Sequence, residues 1–296
     1  MLTIHSESMN IKRTEKDRCA LPFSTHPLKN QAEYRPQRQV SIQPLRLKEC
    51  TQHVESFISF HGGNEFTSNL HGMFIGGSLA KGLADTLSDT DLCLITSENH
   101  VKYYLEKLKS KYDTAQQVYR TEVEFPKNNK LDIRLISLEV LQSKAQDFQS
   151  FSDISATNQD CLSNFEDGIY LKSSLNIENL VEKIDFTYEH ARTIVSEKLK
   201  YIKYYNLSKF LIREDFFTYN EILGIVYAAF CHIFYAVNGK LFRGYRSLSR
   251  FSQIYKIYPS AVISAFSDCY SSASPVSNEN LFIQLLGFTK EIEENF

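Results

Sequence analysis

The sequence predicts an α/β core of the α+β type, built on a small mixed sheet and followed by an all-α helical bundle. Between about residues 45 and 145, apolar runs of strand length alternate with helical patterns. Beyond about residue 175, apolar residues recur almost throughout at helical spacing. This segregation is typical of a mixed sheet joined to a helical domain. We predict an irregular arm at residues 1–40, a core domain at residues 41–150 and a helical domain at residues 151–296.

The composition limits the class of protein. The chain has 296 residues, of which 43% are hydrophobic and 23% charged, so it suits packed domains rather than global disorder. A net charge of −2 argues against a general polyanion binder, and any phosphate-binding surface must be local. The six cysteines form no C-x-x-C pair, which favours a reducing compartment over a zinc cage.

The sequence also bears on localisation. The N-terminus lacks the apolar region of a signal peptide, and we find no uninterrupted apolar run of membrane-spanning length. We therefore expect a cytoplasmic protein without a membrane partner. Residues 1–40 are polar, mixed in charge and without a visible period, so we expect a variable tail there rather than a functional arm.

The predicted core elements are, in chain order, a helix, a strand, a short helix, a strand, an amphipathic helix and two strands joined by the turn signal PKNN. Their sequences are RLKECTQHVESFISF, GMFIGG, SLAKGLA, TDLCLIT, ENHVKYYLEKLKSKY, AQQVYRTEVEF and KLDIRLISL.

The helical half begins after a polar stretch, residues 148–175, which we expect to be a connection between domains. Apolar residues from Ile177 to Ile202 hold the helical period and predict one long helix. The run ILGIVYAAFCHIFYAV is apolar nearly all round, so it predicts a buried central helix that ends at Asn238–Gly239. Within it, we expect His232 to be a core histidine. Two or three shorter helices complete the chain.

Two aspartates lie one residue apart at the apolar strand TDLCLIT: Asp91 is within this stretch and Asp89 directly precedes it. Because successive side chains on a strand point to opposite faces, Asp89 and Asp91 share one face. Two carboxylates held this close favour a cation between them, and Mg²⁺ takes oxygen ligands of this kind. Asp132 is a similar acidic interruption of KLDIRLI and could complete the cluster. An isolated D-x-D pair could equally open and cap a turn.

A glycine-rich turn precedes the aspartates. Gly76, Gly77 and Ser78 follow an apolar strand and open a short helix. Glycine allows a close approach of the backbone, and free N–H groups at a helix start can bind phosphate. A phosphate-binding turn beside a carboxylate pair suits phosphoryl or nucleotidyl transfer.

The stretch GGSLAKGLADTLSDTDL resembles the signature of the DNA polymerase β-like nucleotidyltransferase superfamily: Gly-Ser, a short helix, then Ser-Asp-x-Asp and an apolar strand. The resemblance covers about residues 45–145. It implies a nucleotidyltransferase core that holds a nucleoside triphosphate and two Mg²⁺ ions. The implied triphosphate residues are Gly76, Gly77 and Ser78, and the implied metal ligands and catalytic acids are Asp89, Asp91 and Asp132.

Four further core residues have open roles. Glu122 and Glu124 share a strand face that we interpret as solvent-exposed, although one of them, with Glu124 as the catalytic candidate, could deprotonate an acceptor hydroxyl. Arg134 shares a face with Asp132 and could contact phosphate or balance the acids. Lys81 stands where small-molecule members of the superfamily often carry Arg, which implies nucleotide binding; the alternative is an exposed helix residue.

The helical half resembles that of aminoglycoside and lincosamide adenylyltransferases, which carry an apolar helix, Asn, and a basic-aromatic stretch. If residues 240–250 are helical, their basic side chains form one stripe, from which Lys240 and Arg246 could hold the pyrophosphate; Gly244 counts against this helix. The alternative is a solvated basic face, with Phe242, Tyr245 and Leu248 packed inward. The members of the stripe are Lys240, Arg243, Arg246 and Arg250. Candidates for an acceptor-side base, not distinguishable from ordinary helix-start acids, are Glu214, Asp215 and Glu221.

We therefore predict a Mg²⁺-dependent nucleotidyltransferase that transfers NMP, in the favoured case AMP from ATP, to a hydroxyl of a small molecule such as an antibiotic and releases pyrophosphate. One alternative is a member that modifies a macromolecule, such as a tRNA- or protein-directed toxin, or a cyclic-oligonucleotide synthase. The other is an inactive nucleotide-binding module. The sequence predicts neither the acceptor nor the oligomeric state.

Overall fold

The computed structural model describes residues 44–84, 88–108, 118–125, 129–245, 248, 255 and 257–295. The predicted arm at residues 1–40 lies outside this part of the chain, as do Arg246 and Arg250. The strands are β1 Leu70–Ile75, β2 Asp91–Thr96, β3 Val118–Phe125, β4 Asn129–Ser137 and β5 Ile169–Ser173. The helices that precede or accompany them are α1 Pro44–Phe60, α2 Asn64–Ser68, α3 Gly77–Ala80, α4 Glu98–Leu108, α5 Leu138–Gln149 and α6 Ala156–Asp167. The later helices are α7 Leu175–Lys183, α8 Tyr188–Tyr204, α9 Ser208–Ile212, α10 Phe216–Val237, α11 Ser260–Ser271 and α12 Pro275–Asn295.

The five strands form one sheet in the order β3-β4-β2-β1-β5. Strands β2 and β4 are parallel, whereas the β1–β2, β1–β5 and β3–β4 pairs are antiparallel. The small mixed sheet with helices on it, followed by a helical region, confirms the predicted fold class.

Alternation along the strands gives the sheet two buried faces. One face packs side chains such as Leu92, Leu94 and Ile133 against helices α1, α2 and α4. The other face packs Cys93 and Ile136 against helices α5, α6 and α7. Asp91 and Asp132 lie an even number of residues from Cys93 and Ile136, so their side chains belong to the face that α6 covers.

Residues 148–175 are not the patternless connection that we expected. They contain α6, which Ser155 caps by accepting a hydrogen bond from the Asn158 backbone N–H at 3.3 Å, and the edge strand β5, which pairs with β1. Helix α6 escaped the sequence pattern because it buries polar side chains, including Asn158, Gln159 and Ser163, beside its apolar ones. The sheet therefore takes a strand from beyond residue 150.

The single long helix predicted between Ile177 and Ile202 is two helices, α7 and α8. Thr187 begins α8 as its N-cap, and it forms a capping box with His190, whose ring nitrogen Nδ1 accepts from the Thr187 backbone N–H at 3.2 Å. Apolar spacing continues across residues 184–187, so the period alone could not reveal the break.

Helix α10 is the central helix of the later region, as predicted. Its side chains from Ala229 to Val237 are all buried, and the helix ends at Asn238 with Gly239 at φ 65°. By length and composition α10 is the one described helix that could cross a membrane, but 61% of its most apolar stretch is buried inside the protein, as for an ordinary core helix. His232 lies within it, 6% exposed, with its ring stacked on Phe242 at 4.1 Å between centroids.

We expect His232 to make the stability of the protein sensitive to acid. Burial, followed by the nearby Lys198, lowers the pKa of His232 from 6.5 to about 4. The unfolded chain therefore binds this proton more readily, so the contribution of neutral His232 is complete above pH 6.5 and is lost as the pH falls toward 4. Urea unfolding as a function of pH should show a smaller acid loss in His232→Phe than in the wild type. Parallel curves would contradict this assignment.

Candidate functional site

Three segments meet at the end of the sheet where β1 stops and β2 begins. The Gly76 backbone N–H donates to the Asp91 carbonyl oxygen at 3.0 Å, and the Asp132 N–H donates to the Thr90 carbonyl oxygen at 3.1 Å. Asp91 and Asp132 are register partners on the parallel strands β2 and β4. Their side chains therefore lie side by side on one face of the sheet, so the structure brings Asp132 to the position that the sequence analysis left as a possibility.

Gly77 lies directly under the Asp91 carboxylate. Its φ is 59°, in the left-handed region that favours glycine, and a Cβ built on it would overlap the Asp91 carboxylate oxygen Oδ2. Helix α3 is a single turn, in which the N–H groups of Ala80 and Lys81 donate to the carbonyls of Gly76 and Gly77. Glycine is required here both for the backbone conformation and for the close approach of the carboxylate.

Asp89, predicted to share a strand face with Asp91, lies instead in the segment just before β2, because the strand begins at Asp91; its side chain is exposed. Both of its neighbours are tied to α1: Arg46 donates to the Ser88 carbonyl oxygen, and the Thr90 hydroxyl donates to Cys50 Sγ at 3.2 Å. The described structure thus holds the backbone on either side of Asp89 against a helix.

The three aspartates interact electrostatically. Burial raises the pKa of the Asp91 carboxyl above its usual value; the Arg134 guanidinium opposes this, whereas the charges of Asp132 and Asp89 add to it. Arg134 Nη2 lies 3.4 Å from Asp91 Oδ1, so of the two roles considered for Arg134, balancing the acids is the one seen in this conformation.

Two of the three predicted carboxylates are arranged in a way that suits a hard cation such as Mg²⁺. In the portion of the chain that is described, no three His, Cys, Asp or Glu side chains lie close enough together to hold a metal ion. The adjacent pair Asp91 and Asp132 does match the one or two carboxylates through which Mg²⁺ is commonly held, with substrate phosphates and water completing its shell. The metal-binding role of the three aspartates stays a prediction.

A cavity of about 860 Å³ opens over these groups. The predicted residues that line it are Gly77, Ser78, Lys81, Asp89, Asp91 and Asp132. Helix α6 contributes Asp160 and Asn164 from the opposite side. Gly76 and Lys240 are not among the lining residues, Arg246 lies outside the described part, and nothing is described of the Glu124 side chain.

Lys81 is not an exposed helix residue. It is 9% exposed, and its Nζ lies 3.3 Å from both Asp160 Oδ1 on α6 and the Arg243 carbonyl oxygen. The lysine therefore joins the glycine turn to two segments far away in sequence. Asp160 was missed by sequence reasoning, because nothing in the pattern of α6 separates it from a solvent-facing acid.

In the part of the predicted basic stripe that the structure describes, residues 240–245, the helix is wrong: these residues are not helical and Gly244 has φ 97°. Arg243 instead turns inward: its side chain is 7% exposed and pairs with Asp167 at 2.8 Å and Glu166 at 3.1 Å. Burial lowers the pKa of Lys240 below its ordinary value. These contacts pack the 240–245 segment on α6 and leave no stripe there.

The structure places the candidate general bases in different parts of the molecule. Glu122 is exposed, and it is the register partner of Asp132 in the antiparallel β3–β4 pair, so its side chain lies on the same sheet face as that acid and both interpretations of Glu122 stay open. Asp215 caps α10 by accepting from the Thr218 N–H at 3.1 Å, and it is exposed along with Glu214 and Glu221. These last three do not line the cavity.

Comparison with known proteins does not identify a family for this chain. No protein-family model matches the sequence, and neither does any curated protein. Among solved structures, the chain is similar to a nucleotidyltransferase-like protein from Exiguobacterium sibiricum, with 9% identity and a TM-score of 0.42 over 81% of this chain and 75% of that one. A likeness at this level assigns neither an activity nor a site.

Proposed function

We propose that this protein is a metal-dependent nucleotidyltransferase that transfers NMP, in the favoured case AMP from ATP, to a hydroxyl of a small molecule. One observation carries the proposal: the Asp91 and Asp132 carboxylates are neighbours on parallel strands, Asp91 lies over the Gly77 turn, and all three line one cavity. A carboxylate pair beside a glycine turn is suited to a triphosphate and its metal ion.

The metal ligands would be Asp91 and Asp132; Asp89, the third predicted ligand, is not close enough to them in the described structure to complete a group of three. Bound Mg²⁺ would neutralise the charge that develops on the phosphates and the leaving oxygen. The raised pKa of Asp91 agrees with this assignment, because burial and, to a smaller extent, the charges of Asp132 and Asp89 disfavour the ionised carboxylate, which a bound cation would favour.

The other residues would bind and orient the nucleotide. The backbone N–H groups of Gly77 and Ser78, with the Ser78 hydroxyl, would donate to phosphate oxygens. Lys81 would add positive charge at the cavity wall, where its bonds to Asp160 and to the Arg243 carbonyl oxygen already hold it in place. Positioning of this kind supplies much of the catalysis in such reactions.

The cavity favours a small acceptor. Its volume of about 860 Å³ lies within the range of small-molecule sites. The charged groups that line it include acids such as Asp160 as well as bases such as Arg120, so it is not the uniformly basic groove expected for a long nucleic acid. A tRNA end or a protein remains the alternative acceptor, and we propose a cytoplasmic enzyme.

The proposal is tested by incubating the purified protein with each α-labelled nucleoside triphosphate and Mg²⁺. Hydroxyl-bearing antibiotics, tRNA and a protein lysate serve as acceptors in parallel reactions, and EDTA provides the control. We expect labelled small-molecule product and equimolar pyrophosphate, both lost with EDTA. Label in tRNA or protein would identify the alternative acceptor. Nucleotide binding without any pyrophosphate release would overturn the enzymatic proposal.

A further inference from the structure

Helix α12 has two apolar faces, of which the fold uses one. Leu281, Leu285, Phe288 and Ile292 are at most 5% exposed and pack into the core of the later helices. On the outer side, Phe282 is 62% exposed, Ile283 42% and Leu286 52%. Large apolar side chains that cluster on a surface commonly mark an interaction site.

Acidic, apolar and basic side chains follow one another in sequence along the outer face of α12. Glu279, Ile283, Leu286 and Lys290 follow one another at spacings of four, three and four residues, so they form one stripe along the helix. All four side chains are exposed. The stripe therefore begins with an acid, continues with two apolar residues and ends with a base.

Such a stripe is complementary to itself when two copies run antiparallel. A two-fold axis through the midpoint of the stripe places Glu279 beside Lys290 of the second copy, and the same axis places Ile283 beside Leu286. Both pairs share this midpoint, so one register satisfies the charges and the apolar contacts together. A parallel arrangement would instead place like charges beside each other, which is unfavourable.

Lys290 can exchange its present partner. Its Nζ lies 3.8 Å from Glu294, and the two side chains are 76% and 62% exposed. Exposed pairs of this kind contribute only about 0.3–0.5 kcal/mol on a helix, so Lys290 is readily available to a second copy.

We propose that the outer face of α12 is a homodimer interface in which two copies of the chain pair their α12 helices antiparallel. The stripe Glu279, Ile283, Leu286 and Lys290 forms its centre, and Phe282 extends the contact on one flank. The interface is isologous, since the same surface serves both copies. This assignment is independent of the proposed enzymatic activity.

The test is the mass in solution of the full chain, measured by sedimentation velocity and light scattering across micromolar concentrations. The wild type should approach twice its 34.2 kDa. Leu286→Glu should shift it to the monomer, whereas Leu175→Glu, at a 70% exposed position on α7, should remain dimeric. Circular dichroism must show that both variants are folded. A wild type that stays monomeric, or a folded Leu286→Glu that stays dimeric, overturns the proposal.

Charge reversal tests the register without placing a charge among the apolar residues. Glu279→Lys alone and Lys290→Glu alone should each weaken dimerisation by roughly tenfold, since each turns two attractive pairs into repulsive ones. The double variant Glu279→Lys with Lys290→Glu restores both pairs and should recover the wild-type dissociation constant. Additive weakening in the double variant would rule out the antiparallel register.

Discussion

Asp91→Asn should abolish nucleotide transfer in a protein that remains folded. Asp91 combines every feature of the site: it is the register partner of Asp132, it lies over Gly77, and its pKa is raised by burial and by the neighbouring acids. Under the proposed function, Asp91 is a metal ligand whose loss removes several kcal/mol of charge stabilisation, so we expect turnover to fall about a thousandfold or more. Initial rates of pyrophosphate release at saturating nucleotide measure this effect.

The matched control is Asp268→Asn, which makes the same chemical change at an exposed position on α11. It should leave both turnover and the free energy of unfolding unchanged. Direct binding of Mn²⁺, followed by its electron paramagnetic resonance signal, should weaken in Asp91→Asn and not in the control. Wild-type turnover by folded Asp91→Asn would remove Asp91 from the catalytic machinery.

Gly77→Ala should damage both the fold and the activity. A side chain at φ 59° costs about 1–2 kcal/mol, and the new Cβ would also displace the Asp91 carboxylate, whose oxygen occupies that space. Because a displacement of about 1 Å can cost a hundredfold in rate, we expect turnover to fall by at least that factor. Urea unfolding and pyrophosphate release measure the two effects.

The variant Gly63→Ala distinguishes the cost of the backbone conformation from the effect of displacing the Asp91 carboxylate. Gly63 has φ 61°, nearly the same as Gly77, but a Cβ there would meet nothing within 4 Å. Its ψ of −123° lies outside the left-handed helical region, so Gly63→Ala should show a backbone cost at least as large as that of Gly77→Ala, without loss of turnover. Equal activity in the two variants would mean that the close approach of Asp91 to Gly77 is not needed for catalysis.

Sequence reasoning succeeded where local pattern and final position agree. Strand β2 has a continuous apolar run from Leu92 to Ile95 because both faces of the sheet are buried, and the amphipathic pattern of α4 places Val101, Tyr104, Leu105 and Leu108 inside. It failed at a segment that buries polar side chains, and at a boundary between two helices across which the apolar residues keep helical spacing. Helix α6 has buried amides, and the apolar spacing of α7 continues into α8 across the Thr187 cap.

The sequence by itself determined the two halves of the site, because each depends on neighbouring residues: glycine for a turn at positive φ, and alternation for the strand face that carries Asp91. Only the tertiary structure decided what these halves meet. The parallel register of β2 and β4 places Asp132 beside Asp91, and the packing of α6 places Asp160 on Lys81. Such contacts join residues that are tens of positions apart, and their formation depends on which apolar faces pack together. No local spacing encodes that choice.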